Sequence, residues 1–361
     1  MPLFIITSFT SINMAKILYG VSGEGFGHAA RSLVVINYLK RAGHQVTVIS
    51  YDKGFKFLSQ STPVHLIAGA SFTYEHNEVK YLKTVVKNFL RSADTLKSVE
   101  DVRELVEKKK IDFVITDFEP ISCIVANLKK LPLISLDNQH ILTKTKLDYP
   151  KNYLKAYLVD KFITRLMVFN PKFYLILSFF PCKPIGRKAL VFAPLVAEDV
   201  LAKKPTVGEE VVVYLTSGFE EVSEVLQKLP YKFIVYGLSK VGQVGNCLFK
   251  KIDRQEFVDD LSKCHSIIAT AGFSLISEAL YLGKPYFALP AKAQFEQTLN
   301  AYHLAKMGYG EHHDDLSAKA IEKFLVKSDK YRARLGRGLK PGNEQIFAKI
   351  EELIAKYCTK K

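Results

Sequence analysis

The sequence predicts an α/β protein made of two doubly wound, parallel-sheet domains of the Rossmann kind. Three observations carry that prediction. The chain has 361 residues, enough for two cores at the usual roughly 100–200 residues per domain. Short apolar runs alternate with stretches of helical periodicity, as they do where parallel strands are joined by crossover helices. The alternation is broken once, by a segment over 194–210 rich in Pro, Lys and Glu that carries Pro205 and Gly208, and then restarts.

Taken in order, the apolar run 16–19 ends at Gly20 and reads as a first strand. The glycine-dense turn 20–28 follows, then a helix over 29–40 marked by Leu33, Ile36 and Leu39 and stopped by Gly43. An alternating strand at 45–50 completes a β-loop-α-β unit whose crossover should be right-handed. Beyond it the pattern predicts one or two lysine-rich amphipathic helices over 81–109 and a strand at 111–116 that ends on Asp117. A helix from 120, a strand at 133–136, a helix over 152–168 and an inner strand at 173–180 complete this half. After the linker come strands at 211–215, 233–236, 266–270 and 286–290, with helices over 220–228, 257–261, 274–282 and 297–307. In the tail, Ile346, Phe347, Ile350, Leu353, Ile354 and Tyr357 form one helical stripe, which needs a surface at the domain junction to cover it. The domains are placed at 14–200 and 208–335, and the junction helix at 341–361.

The formal net charge is +15, and it is lopsided. Residues 1–190 hold 27 Lys/Arg against 15 Asp/Glu, and 151–190 alone hold 8 against 1. Such a field draws an anionic partner toward the N-terminal half, unless it is simply a solvated basic face. The helix over 152–168 mixes Leu154, Leu158 and Phe162 with Lys155, Lys161 and Arg165. That surface suits either packing on the sheet or an anionic bilayer with snorkelling cations. A membrane surface and a glycan or lipid-linked acceptor are therefore kept as partners. Nucleic acid is not, because no recognition helix or RNA-binding signature is present. No apolar run nears the roughly 18 residues that span a bilayer. The five cysteines form no close pair, which fits a reducing compartment. The segment 1–13 lacks a basic leader, so it reads as an extra strand or as residues ahead of a start at Met14. The expected location is the cytoplasm, peripherally at the inner face of the cell membrane.

The most specific pattern runs from Ala271 through Gly272, Phe273 and Ser274 to Glu278, then Gly283-Lys284-Pro285, Pro290, Gln297 and Asn300. Gly272 closes a strand where backbone must approach a ligand closely. Ser274 opens the next helix, where unpaired N–H groups and the positive helix end favour an anion. Glu278 lies one turn deeper on the same face, suited to accept from two ribose hydroxyls rather than to meet a diphosphate. Alone, this spacing is equally that of a capped helix with a solvent-facing acid.

With its continuation to Asn300, the pattern resembles the donor signature of inverting glycosyltransferases with the two-Rossmann GT-B architecture. The resemblance is to the family 28-like group that includes the bacterial N-acetylglucosaminyltransferase of the undecaprenyl-linked muramyl precursor and the UDP-glycosyltransferases. It is strong over about 210–312 and weaker over 14–50. It implies a cell-envelope type of activity in which a sugar moves from a UDP-sugar to a hydroxyl acceptor with inversion. The resemblance places Glu296 and Gln297 beside the donor sugar, with Asn300 supporting their loop. It further places Ser217, Gly218 and Phe219 opposite the diphosphate, and Ile252 against the base. No Asp-x-Asp pair occurs, so the donor is expected to need neither metal nor other cofactor.

The loop Gly23-Glu24-Gly25-Phe26-Gly27-His28 resembles the family's first glycine-rich loop, which ends in Gly-His. Its spacing is not the dinucleotide fingerprint. His28 sits at a helix start, which keeps an imidazole neutral and able to take a proton from an acceptor hydroxyl, while Gly25 and Gly27 leave room for that acceptor. Asp117 is the preferred partner to orient it, and Glu24 is a rival base. Asn138, Gln139 and His140, in the polar turn after the strand at 133–136, line the acceptor side or form a solvated turn. Two other readings remain: a UDP-sugar 2-epimerase of the same architecture, and a nucleotide-sugar-binding scaffold without turnover.

Overall fold

A computed structural model describes residues 14–69, 92–215, 222–292 and 294–358. The first sheet contains β1 (Lys16–Val21), β2 (Gln45–Ser50), β3 (Val64–Leu66), β4 (Phe113–Asp117), β5 (Leu133–Asp137), β7 (Phe173–Leu177) and β9 (Ala189–Phe192). Its order is β3-β2-β1-β4-β5-β7-β9, and every pairing is parallel. A two-residue antiparallel pair, β6 (Thr145–Lys146) with β8 (Lys183–Pro184), stands apart from it. Strands β4 and β5 are buried at every position, as parallel strands covered on both faces must be.

The second sheet repeats the design with β10 (Val211–Tyr214), β11 (Phe233–Tyr236), β12 (Gly242–Val244), β13 (Cys247–Phe249), β14 (Ser266–Thr270), β15 (Tyr286–Leu289) and β16 (Gly310–His312). The order is β12-β13-β11-β10-β14-β15-β16, with only β12 antiparallel. In each sheet the strand order reverses beside the first strand, between β1 and β4 and between β10 and β14. A crevice forms beyond the carboxyl ends at such a switch point, and ligands of doubly wound sheets bind there.

The helix Asn343–Tyr357 returns to the first domain. Phe347 stacks on Tyr38 with ring centres 3.9 Å apart, and Glu351 meets the buried His44 Nε2 at 3.2 Å. At its start, Gly342 N–H donates to Pro194 O, and Asn343 exchanges hydrogen bonds with the backbone of Val196. The linker is also fastened to the second domain. The buried Lys284 ammonium donates to the carbonyls of Thr206 and Cys264.

Some boundaries differ from expectation for local reasons. The strand predicted to run to 180 stops at Leu177, because the Ser178 hydroxyl donates to Phe180 O and accepts from Phe180 N–H, a tight side-chain turn. The helix predicted from 257 starts at Arg254, because Asp253 accepts from Glu256 N–H as its N-cap. The strands β3, β9, β12 and β16 are too short to show periodicity in the sequence. Residues 1–13 and 81–91, and the Ser217, Gly218 and Phe219 turn, lie outside the described residues.

Candidate active site

On the first-domain side, β1 runs into the glycine loop and the helix Phe26–Arg41. Gly23 is required there, since a Cβ would stand 2.2 Å from the Tyr51 carbonyl oxygen. His28, in the first turn of the helix, places Nδ1 2.8 Å from Asp117 Oδ1 at the end of β4. Arg31 Nη2, a donor only, also lies 2.8 Å from Nδ1, so the Asp117 bond and the Arg31 contact call for opposite tautomers; with the proton on Nδ1 toward Asp117, Nε2 accepts from the Gln139 amide at 3.2 Å. The imidazole is little exposed, with 12% of its side chain open.

Asp117 is the hub of this wall. Arg31, one helical turn beyond His28, donates Nε to Asp117 Oδ2 at 2.7 Å and also reaches Oδ1, while Ser32 Oγ donates to Oδ2 at 2.9 Å. Burial pushes the Asp117 carboxyl up, but the Arg31 guanidinium and His28 outweigh it and hold it at about 2. Burial likewise opposes the Arg31 charge, and Asp117 reverses that, so the guanidinium pKa is raised. The aspartate therefore stays ionised and fixes the imidazole's orientation.

The polar turn after β5 divides between two roles. Asn138 and Gln139 point to the crevice: Arg31 donates to both side-chain oxygens, and their amides donate to Glu296 Oε1 and Oε2, each at 2.9 Å, across from the second domain. His140 turns inward instead. It is buried, with Nδ1 2.7 Å from Asp137 Oδ2 and its ring against Tyr174. Glu24 is not part of the Asp117 cluster; its carboxylate acts on the buried Tyr51 phenol, whose pKa rises first through burial and then through that charge.

On the second-domain side, β14 leads through Ala271 and Gly272 into the helix Phe273–Tyr281. Gly272 is the N-cap and supplies no side-chain cap, and a Cβ there would meet only open space. The helix's first N–H groups thus face the crevice without an intrahelical acceptor. Ser274 Oγ donates to Gly27 O at 3.0 Å, joining this helix start to the loop that precedes His28. A side chain at Gly27 would stand 3.1 Å from that hydroxyl, so glycine permits the approach. Phe273 packs into the core against Phe179, and Asn300 Nδ2 holds Ala271 O at 3.1 Å.

Glu278, only 5% exposed, lies deeper on this helix and is paired. Arg254 donates Nη1 to Oε2 at 3.1 Å and Nη2 to Oε1 at 2.8 Å, and its Nε reaches Asp199 Oδ2 at 2.7 Å. Burial opposes the Arg254 charge, but Glu278 and Asp199 outweigh it and raise its pKa. Gln297 accepts from Ala291 N–H and donates to Gln294, so it stiffens its own loop. Ile252 is exposed.

Sequence reasoning missed Arg31, Asp199 and Arg254. Arg31 carried a signal, an arginine three residues after His28 and therefore on the same helical face. Asp199 had none, since it sits in the segment read as linker.

The family model for glycosyl transferase family 1 matches residues 15–328. Among curated proteins, an "uncharacterized glycosyltransferase" of Methanosarcina acetivorans is 25% identical over 82% of this chain and 84% of its own. One of Methanosarcina mazei is 25% identical over 96% of this chain and 99% of its own. Among solved structures, the kitacinnamycin glycotransferase superposes with a TM-score of 0.67 at 17% identity, covering 94% of this chain and 99% of that one. Acinetobacter baumannii MurG gives 0.59 at 15% identity, covering 93% and 99%. Phytolacca americana UGT2, solved with UDP-2fluoro-glucose and pterostilbene, gives 0.64 at 13% identity, covering 94% and 99%. At these identities the structural likeness establishes the shared GT-B fold. Together with the family match across both domains, it makes the chain a member of glycosyl transferase family 1, a nucleotide-sugar-dependent glycosyltransferase.

Proposed function

We propose that the protein transfers a sugar from a UDP-sugar to a hydroxyl acceptor with inversion, and that His28 is the general base. The observation that supports this best is the contact of the two strand-turn-helix units: the Ser274 hydroxyl touches Gly27 O, one residue before His28. A diphosphate received by the first turn of the helix Phe273–Tyr281 would lie beside the imidazole that Asp117 orients.

The acceptor hydroxyl gives its proton to His28 Nε2 as its oxygen bonds to the anomeric carbon. The bond from that carbon to the diphosphate breaks on the opposite face, and its electron pair leaves with UDP. Gln139 donates to Nε2 at 3.2 Å, so the acceptor must displace that amide. Helix N–H groups offset the charge that develops on the diphosphate. Glu278 accepts from the ribose hydroxyls, exchanging part of its bonding to Arg254, and Glu296 and Gln297 are assigned to the sugar. For UDP the support is the sequence resemblance and the nucleotide carried by the Phytolacca relative.

A lipid-linked acceptor on an anionic membrane fits the helix Leu154–Met167. Leu154, Leu158 and Phe162 are 46%, 54% and 38% exposed at i, i+4 and i+8, beside Lys151, Lys155 and Arg165. A thermal-shift screen of nucleotide sugars, followed by an acceptor panel of glycans and polyprenyl phosphates with the best donor, tests the proposal. UDP-sugars should stabilise the protein and one acceptor class should be glycosylated. Stabilisation by no UDP-sugar would overturn the donor assignment, and turnover retained in His28→Ala would overturn the base.

A further inference from the structure

A second polar cavity lies away from the crevice. It has a volume of about 370 Å³ and is bounded by Lys144, Tyr174, Arg187 and Lys188, together with Asn170 and Ile185. Asn170 precedes β7, and Arg187 and Lys188 precede β9, so this cavity opens at the amino ends of those strands. His28, Asp117 and Asn138 belong to the carboxyl ends of the same parallel sheet. Lys144 comes from the short helix after β5 and the Tyr174 ring packs on His140, but neither His28 nor Asp117 lines this cavity.

The charge in this cavity is of one sign. Lys144 Nζ stands 4.4 Å from the centre of the Tyr174 ring. Burial first, then the neighbouring Arg165 and Lys188 charges, push the Lys144 pKa below its usual value. Among the described residues, none of Lys144, Arg165, Arg187 and Lys188 has a carboxylate at ion-pair distance. Arg31, Arg41, Arg103, Arg254 and Arg332 have acidic partners, whereas Arg165 and Arg187, like Arg334 and Arg337, have none among the described residues. Cations drawn together without a counter-charge repel one another, and an anion entering among them relieves that repulsion.

We infer that this cavity is a binding site for the phosphoryl group of a phosphate ester. Lys144, Arg187 and Lys188 would meet its oxygens, and Tyr174 with Ile185 would flank the organic part. A guanidinium matches two phosphoryl oxygens at once and an ammonium serves as a point charge, so the set suits a tetrahedral dianion better than a lone carboxylate. The inference does not rest on the proposed reaction, since none of these residues takes part in it. The ester is either a soluble phosphate or a lipid headgroup, and the two share this chemistry.

The test uses the full chain. Wild type, Arg187→Gln/Lys188→Gln and Lys144→Gln are titrated calorimetrically with inorganic phosphate at constant ionic strength, with chloride as the balancing ion. Arg187 and Lys188 are exposed, so the double variant should fold as wild type does. Wild type should bind saturably, and each variant should bind about ten-fold more weakly or worse, the loss of one or more charge-assisted contacts. UDP binding serves as the control and should be unchanged in both. Equal phosphate affinity in all three proteins, or no saturable binding by wild type, overturns the site. The source is separated by sedimentation with phosphatidylcholine vesicles holding about 30% phosphatidylglycerol, an anionic surface that basic clusters feel directly. If vesicle binding falls together with phosphate binding, the headgroup is the ligand. If only phosphate binding falls, the ligand is a soluble ester.

Discussion

The two walls of the crevice each carry a nearly buried acid, and they hold it differently. Asp117 is satisfied wholly within its own domain, by His28, Arg31 and Ser32 from one helix. Glu278 is satisfied by Arg254, which is itself held by Asp199 from the segment that joins the domains. The first wall is therefore built in advance, with every partner of the acid fixed by the fold. The second can trade partners, because the arginine that leaves Glu278 still has an aspartate to hold. A base needs fixed orientation, whereas an acid that receives a ligand needs partners it can release.

Replacing the hub of the fixed wall should have the largest effect. Asp117→Asn leaves the Arg31 charge buried without its counter-ion, a loss of about 3–5 kcal/mol in stability by urea unfolding. Turnover should fall by about 10²–10⁴-fold, the range for a disabled acid–base pair. The pH dependence has a definite sign. Asp117 is held at about 2 against an ordinary 3.8, so the folded state binds fewer protons than the unfolded chain in that window. The stability it contributes is present above pH 4 and is lost as pH falls toward 2. Asp117→Asn should lack that component of acid destabilisation, and an unchanged acid limb would show that the carboxylate is not held as described.

His28→Ala comes next. Donor affinity by calorimetry should stay within about two-fold, while turnover drops by about 10²-fold or more. A rise in KM with turnover intact would instead make His28 a binding residue.

The smallest effects belong to the exchangeable wall. Glu278→Ala should weaken UDP binding by about 2 kcal/mol through loss of a charged acceptor. Arg254→Ala on top of Glu278→Ala should cost less than Arg254→Ala alone, a coupling of about 0.5–3 kcal/mol in the double-mutant cycle. Strict additivity would separate Arg254 from the nucleotide site.

These contrasts also mark what the sequence discloses. The parallel α/β class follows from strands such as 266–270, buried at every position and apolar through their centre at 267–269. The positions of His28, Ser274 and Glu278 were legible because each sits at a fixed offset from a strand-turn-helix junction. Asp117 was legible as an acid at a strand end. The pairings that cross the molecule were not. Glu296 meets Asn138 from 158 residues away, and Asp199 meets Arg254 from 55, and no local periodicity encodes either. His140 shows the converse: the turn read as acceptor-lining or solvated, yet Asp137 gives the imidazole a buried partner.

The chain passes between its domains twice, once through the linker after Ala193 and once just before Asn343. The passages run side by side: Gly342 bonds to Pro194, and a Cβ at Gly342 would stand 2.1 Å from the Ala193 carbonyl oxygen. Two bodies joined by neighbouring tethers cannot slide apart. A turn about the line of the tethers, like a book about its spine, would move the page edges most and the spine least, with the pivot beside Gly342.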